Sequence, residues 1–187
     1  MEKSFNQEWE TVHSTQEWGM YPTEHVIRFV ARNYYKTPER SKVKMLDFGC
    51  GTGAHTWYLA REGFDAYAFD GSESAIKRAK ERFEREHLKA HFDVLDALDV
   101  NYPDGYFDAV IDNVCVYGNL LDNINTMYAN IYRMLKTGGK LLTTCFGKET
   151  ELNYVLEKAG FKNIQIDTIL YTDRHVQIEQ YIAIAEK

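Results

Sequence analysis

Apolar residues along most of this chain come in short blocks that switch between a strand period and a helical one. "KVKMLDF" (42–48) reads as a strand and "AHTWYLAREG" (54–63) as the helix after it. "FDAYAFD" (64–70) predicts a second strand, followed by a helix over about 73–87. "KAHFDVLD" (89–96) and "YFDAVIDNV" (106–114) predict the third and fourth strands. A helix at about 121–136 then ends in "KTGG", read as a stop signal with a cation at the negative end of the helix dipole. "GKLLTTCF" (139–146) is the fifth strand, and "ETELNYVLEKAG" (149–160) a helix closed by Gly160. "NIQIDTILYTD" and "VQIEQYIAIAEK", joined by the tight turn "TDRH", predict an antiparallel hairpin.

Strands alternating with helices over short connections imply parallel strands joined by right-handed crossovers. The expected fold is α/β: a Rossmann-like, doubly wound, mostly parallel seven-stranded sheet with helices on both faces and an antiparallel C-terminal strand. Ligands in such sheets bind at the carboxyl ends of the strands, near the switch in strand order. The 187 residues suit a single domain, with an amino-terminal lid and helix over 1–40 and a core over 41–187.

Composition removes several classes. The net charge is −6, and the basic-looking stretch "IKRAKERFEREH" (76–87) has its acids interleaved at i,i+4, as in Lys77/Glu81, Glu81/Arg85 and Arg82/Glu86. That pattern predicts a solvated face and no nucleic-acid partner. No apolar run is long enough for a membrane span, and the polar, acidic start lacks a secretory pattern, so a cytoplasmic protein is expected. Cys50, Cys115 and Cys145 lie inside apolar segments without CxxC spacing, which predicts buried packing and no metal site.

Chemistry concentrates at the strand ends. In "LDFGCGTG" (46–53), Gly49, Gly51 and Gly53 follow the first strand and let backbone approach a ligand, while the next helix offers N–H groups. Dinucleotide sites use G-x-G-x-x-G; here the third glycine comes one residue early, and Asp47 precedes the first by two positions. The turn also lacks the Gly-Lys-Ser/Thr of a P-loop. Asp70 ends the second strand where an acid meets ribose hydroxyls in nucleotide-binding units, with Gly71 and Ser72 beside it; capping the next helix is its other reading. Asp96 follows the third strand, and Asp112 and Asn113 end the fourth.

Together, in this order, these elements resemble the class I S-adenosylmethionine-dependent methyltransferases of the small-molecule type. The resemblance covers about residues 43–186 and includes "FDAV" and "LKTGGKLL". It implies S-adenosyl-L-methionine as cofactor and S-adenosyl-L-homocysteine as product. By that resemblance Asp47, Gly49, Gly51 and Gly53 surround the methionine portion, and Asp70, with Gly71 and Ser72, the ribose. Asp96 and Ala97 then hold the adenine and the backbone near Asp112 the amino group, with Asn113 a further cofactor-binding candidate. Where many relatives insert a substrate-binding arm, "FGKET" runs almost directly into the next helix.

The stretch "WETVHSTQEWGMYPTEHVIRFVARNYY" sets Trp9, His13, Trp18 and Tyr21 ahead of a helix opened by Pro22, with Val26, Phe29, Val30 and Asn33 on one face. It looks like the lid that small-molecule methyltransferases fold over the cofactor, with Trp18 or Tyr21 near the sulfonium; the plainer reading is aromatic docking of a terminal helix. His13 and His55 are candidate bases, with Tyr21, Asn113 and Tyr117 as orienting groups. The expected reaction is methyl transfer to oxygen or nitrogen of a small molecule by a monomer or homodimer. A catalytically inactive, cofactor-binding regulatory subunit is the alternative, and the glycine spacing disfavours a nicotinamide oxidoreductase.

Overall fold

The computed structural model describes residues 3–187, which divide into two compact units, one running to Asn101 and the other starting at Tyr102. The first unit contains helices α1 (Gln7–Thr15) and α2 (Glu24–Tyr34), then β1 (Lys44–Phe48), α3 (Ala54–Arg61), β2 (Asp65–Asp70), α4 (Glu73–Arg85) and β3 (His91–Val94). Its strands are parallel, with β2 paired to β1 on one side and to β3 on the other. Strand β1 is buried along almost its whole length, as expected of a parallel strand covered on both faces. A short 3₁₀ turn over Arg40–Lys42 leads into it.

The second unit contains β4 (Phe107–Asn113), α5 (Leu121–Met134), β5 (Leu135–Cys145), α6 (Glu149–Ala159), β6 (Lys162–Asp173) and β7 (Val176–Glu186). Strands β4 and β5 are parallel, and β7 pairs antiparallel with both β5 and β6. The seven strands make the mixed sheet with antiparallel C-terminal strands that the hydrophobic pattern predicts. Left-handed Gly160 ends α6, again as predicted.

Three local features differ from expectation. "KTGG" does not cap α5, which stops at Met134. Phe107 pairs with Leu135 and the ladder then jumps to Ala109 and Lys140, so these residues form a bulge inside β5. There the backbone of Gly138 and Gly139 exchanges hydrogen bonds with Lys187, a distant partner that no local rule anticipates. Second, Arg82 is not on a solvated face. It is 6% exposed, lies over the Trp57 ring at 4.1 Å and donates to the Met20 carbonyl, although its predicted pair with Glu86 is present at 3.2 Å. Third, the amino-terminal stretch contains a helix, α1, that the apolar pattern did not reveal; Pro22 lies one residue before Thr23, the N-cap of α2.

The β6–β7 ribbon is longer than its support. Strand β5 pairs with β7 only over Tyr181–Glu186, whereas β6 follows β7 out to Val176. Arg174 and His175 make the two-residue turn, both at positive φ (45° and 73°).

Candidate functional site

In the first unit, β1 delivers the chain into a turn in which Gly49, Gly51 and Gly53 have φ of 72°, 51° and 79°. Gly53 is also the N-cap of α3, and a β-carbon there would lie 3.0 Å from that of Ala79 on α4. Glycine at this position therefore meets two demands: left-handed backbone and close helix packing. Cys50 packs with Ala68, Ile76 and Phe92, the apolar role expected of it.

Two carboxylates hold the turn and the helix that follows it. Asp47 is 1% exposed, and one of its oxygens accepts from the Thr56 backbone N–H (2.9 Å) and hydroxyl (2.6 Å). Its other oxygen lies 3.7 Å from His55 Nδ1, while His55 Nε2 meets the Thr23 hydroxyl at 3.3 Å. Both residues thus tie α3 to β1 and to the start of α2. Asp70 accepts from the Gly51 N–H (2.8 Å) through one oxygen and from the Ser72 N–H (2.9 Å) through the other. Burial raises its pKa, while those two N–H bonds and nearby His13 act in the opposite direction. The N-cap of α4 is Ser72, whose hydroxyl accepts from Ala75 N–H.

Asp96 sits after β3 beside buried Ala97. Its carboxylate accepts from the Leu98 N–H (2.9 Å), from the Ser4 hydroxyl (2.6 Å) and from the Phe5 N–H (2.9 Å). Burial pushes its pKa up, but the hydrogen bonds from Ser4, Leu98 and Phe5 outweigh it and leave the carboxyl below its ordinary value. The Phe5 ring lies against Gly71 so closely that a β-carbon at Gly71 would collide with it. Gly51, Asp70, Gly71, Ser72 and Asp96 are thus all reached by the amino-terminal segment or by one another.

Helix α1 supplies the rest of that segment's grip. Asn6 caps it by accepting from Glu8 N–H. The Glu10 carboxylate accepts from the Ser72 and Ser74 hydroxyls, which lower its pKa, and Arg78 donates to the Gln16 carbonyl. His13, 4% exposed, stacks on Trp9 (5.9 Å) and meets the edge of Trp18 (5.3 Å). A β-carbon at Gly51 would be 3.5 Å from His13 Cε1 and 3.8 Å from Trp18 Nε1, so both rings stand over the glycine turn. His13 Nδ1 is buried without a hydrogen-bond partner. Burial lowers the pKa of His13, Asp70 opposes that and Arg78 reinforces it. Tyr21 is elsewhere: it is 75% exposed and edge-on to Trp57. Ser4, Phe5 and Glu10 were missed from sequence, although the Asn6 cap with acids at Glu8 and Glu10 is a helix-start signal that could have exposed α1.

In the second unit, Asp112 is fully buried at the end of β4. One oxygen accepts from the Cys115 and Val116 N–H groups (2.9 and 3.1 Å), the other from the Thr143 hydroxyl (2.6 Å). This holds a turn in which Val114 has φ 68°, a strained value for a β-branched residue. Asn113 accepts from Thr144, and Tyr117 meets Phe146 edge-on at 6.0 Å, both rings partly exposed. Among the described residues no group of His, Cys, Asp or Glu side chains is arranged to hold a metal. No described helix is long and apolar enough to cross a membrane.

A mixed seven-stranded sheet with this glycine turn after β1 and acids after β2 and β3 defines a class I S-adenosylmethionine-dependent methyltransferase. The family described as "Methyltransferase domain" matches residues 45–139, and the chain belongs to it. Among known proteins the chain is similar to phosphoethanolamine N-methyltransferase 2 of Caenorhabditis elegans, 26% identical over 160 residues, 73% of this chain and 36% of that protein. It is also 31% identical over 109 residues to norajmaline N-methyltransferase of Rauvolfia serpentina, covering 57% of this chain and 37% of that one. The chain thus spans little more than a third of either relative. The structure of Haemonchus contortus phosphoethanolamine N-methyltransferase 2, in complex with phosphomonomethylethanolamine and S-adenosylhomocysteine, shares the fold. Its TM-score is 0.75 at 18% identity, over 97% of this chain and 56% of that one.

Proposed function

We propose that the chain transfers the methyl group of S-adenosylmethionine to a nitrogen of a small molecule. The observation that carries this is the family match, together with curated relatives whose names specify N-methylation of phosphoethanolamine and of an alkaloid. That match runs across the junction at Asn101, which supports treating the chain as one methyltransferase domain.

The residues fit the cofactor. Gly51 holds left-handed backbone in the turn (φ 51°), and Asp70 and Asp96 are acceptors placed for hydroxyl and amino donors. On this reading the glycine turn holds the methionine portion, Asp70 with Gly71 and Ser72 the ribose, and Asp96 with Ala97 the adenine. Trp18, whose ring stands over Gly51, is assigned to the sulfonium side. The bound cofactor supplies an electrophilic methyl on a sulfonium, whose departure as a neutral thioether needs no acid.

What the chain then contributes is alignment and exclusion of water. A neutral amine attacks without prior deprotonation and loses its proton after methylation. His13 is the residue assigned to receive it, because its ring stands beside the glycine turn with Nε2 toward Gly51. The test is a product screen with labelled cofactor over phosphoethanolamine, alkaloid amines and phenols. Methylated amines support the proposal, and transfer to phenols alone overturns the choice of nitrogen. Tight cofactor binding with no transfer to any acceptor class would favour the regulatory subunit.

A further inference from the structure

The groups assigned to the cofactor's adenosine end are already engaged by the chain itself. The Ser4 hydroxyl and the Phe5 N–H both donate to the Asp96 carboxylate, and the Phe5 ring covers Gly71. An ionised carboxylate only accepts, so its natural ligands are donors such as an exocyclic amino group or a ribose hydroxyl. Ser4 and Phe5 present a hydroxyl, an N–H and a flat apolar ring, the same set of features that adenosine would offer. We infer that residues Ser4 and Phe5 act as an internal stand-in for adenosine, and that cofactor and segment compete for Asp96 and the surface of Gly71. The inference rests on the cofactor assignment given above.

The placement of the anchors confines the movement to the tip. Helix α1 is held separately, by Glu10 on Ser72 and Ser74 and by Arg78 on the carbonyls of Ser14 and Gln16. Asn6 caps α1 from just outside its first turn, with its side chain accepting from Glu8. Residues 3–5 are not helical, and Ser4, through its hydroxyl and backbone, and Phe5, through its N–H, hold Asp96. The tip can therefore leave while α1, with His13 and Trp18 over Gly51, stays in place. Such a device lowers apparent affinity by the fraction of molecules in which the tip is withdrawn. It also protects Asp96 and the Gly71 surface from water when no cofactor is present.

The experiment measures S-adenosylhomocysteine binding by calorimetry to the wild-type chain and to the double variant Ser4→Ala, Phe5→Ala. If the tip is docked in about nine molecules out of ten, loss of the Ser4 hydroxyl and the Phe5 ring weakens its docking and tightens binding, by up to about tenfold if docking is abolished. In parallel, amide exchange over residues 4–6 should speed up on adding S-adenosylhomocysteine, while exchange over α1 does not. Equal or weaker binding by the variant, or slower exchange at the tip, would show that Ser4 and Phe5 assist the cofactor or ignore it, and overturns the inference alone. Failure of both proteins to bind S-adenosylhomocysteine overturns the cofactor assignment and this inference with it.

Discussion

Asp70 has both carboxylate oxygens in use, one on Gly51 and one on Ser72, so the residue assigned to the ribose also fixes the shape of the turn. Asp70→Ala should therefore weaken cofactor binding by about 1.5–3 kcal/mol, the range for hydrogen bonds to a charged group. Calorimetry reads this directly, and an unchanged affinity refutes the ribose assignment. His13 yields a prediction of a different kind. Burial holds its pKa below the ordinary value in the folded state, so between the folded value and about 6.5 the unfolded or undocked chain binds more protons. Stability from a docked, neutral His13 is complete above that ordinary value and is lost as pH falls toward the folded one. Fluorescence of Trp9 and Trp18, which pack on this ring, should report loosening of α1 as pH falls below about 6.5. The same scan on His13→Gln should be flatter; an equal slope assigns the effect to another group. At this scale the sequence named the anchoring acids by position but could not show what they hold. Asp47 meets Thr56 and Asp112 meets Thr143 only because strand and helix bring them together.

At the scale of elements, hydrophobic period located the strands and most helices, since most of them bury a face whose spacing is written locally. It failed where the partner is remote. Helix α1 is mostly polar, and it is stabilised by Ser72, Ser74 and Arg78, more than sixty residues away. The "KTGG" segment likewise takes its form from β4 and Lys187 and has no independent preference for a cap. Two substitutions test the element junctions. Gly53→Ala places a methyl group against Ala79 in a left-handed backbone, at a cost of about 2 kcal/mol in urea denaturation. Asp112→Ala strands the Cys115 and Val116 N–H groups and the Thr143 hydroxyl, and should cost about 3 kcal/mol or more. A loss under about 1 kcal/mol in the second case would mean that the turn after β4 re-forms around water.

For the molecule as a whole, ligand linkage gives the simplest check on the donor. At about a hundredfold excess over Kd, a ligand of the folded state stabilises it by about 2.7 kcal/mol. For a chain of this length that is a rise of roughly 5–10 °C in Tm. S-adenosylhomocysteine should produce such a rise and NAD none; the reverse would contradict the assignment of the glycine turn. In the sequence, the early third glycine and the position of Asp96 disfavoured NAD, because the spacing alters which backbone groups face the ligand. The acceptor was not legible in the same way. No single motif encodes it, and the chain's curated relatives act on molecules as different as phosphoethanolamine and an alkaloid.

The turn at Arg174–His175 has a practical consequence. Its two residues adopt left-handed backbone that asparagine and glycine accept more readily, so the pair is a poor local optimum held by the ladder on either side. Because pairs from Asp173–Val176 inward set the register, lengthening the loop itself adds little closure entropy. A short flexible peptide carrying a fluorophore or a surface tether could be spliced between Arg174 and His175 without disturbing the strand pairing. The ribbon would then serve as a handle for watching single molecules bind and release their cofactor.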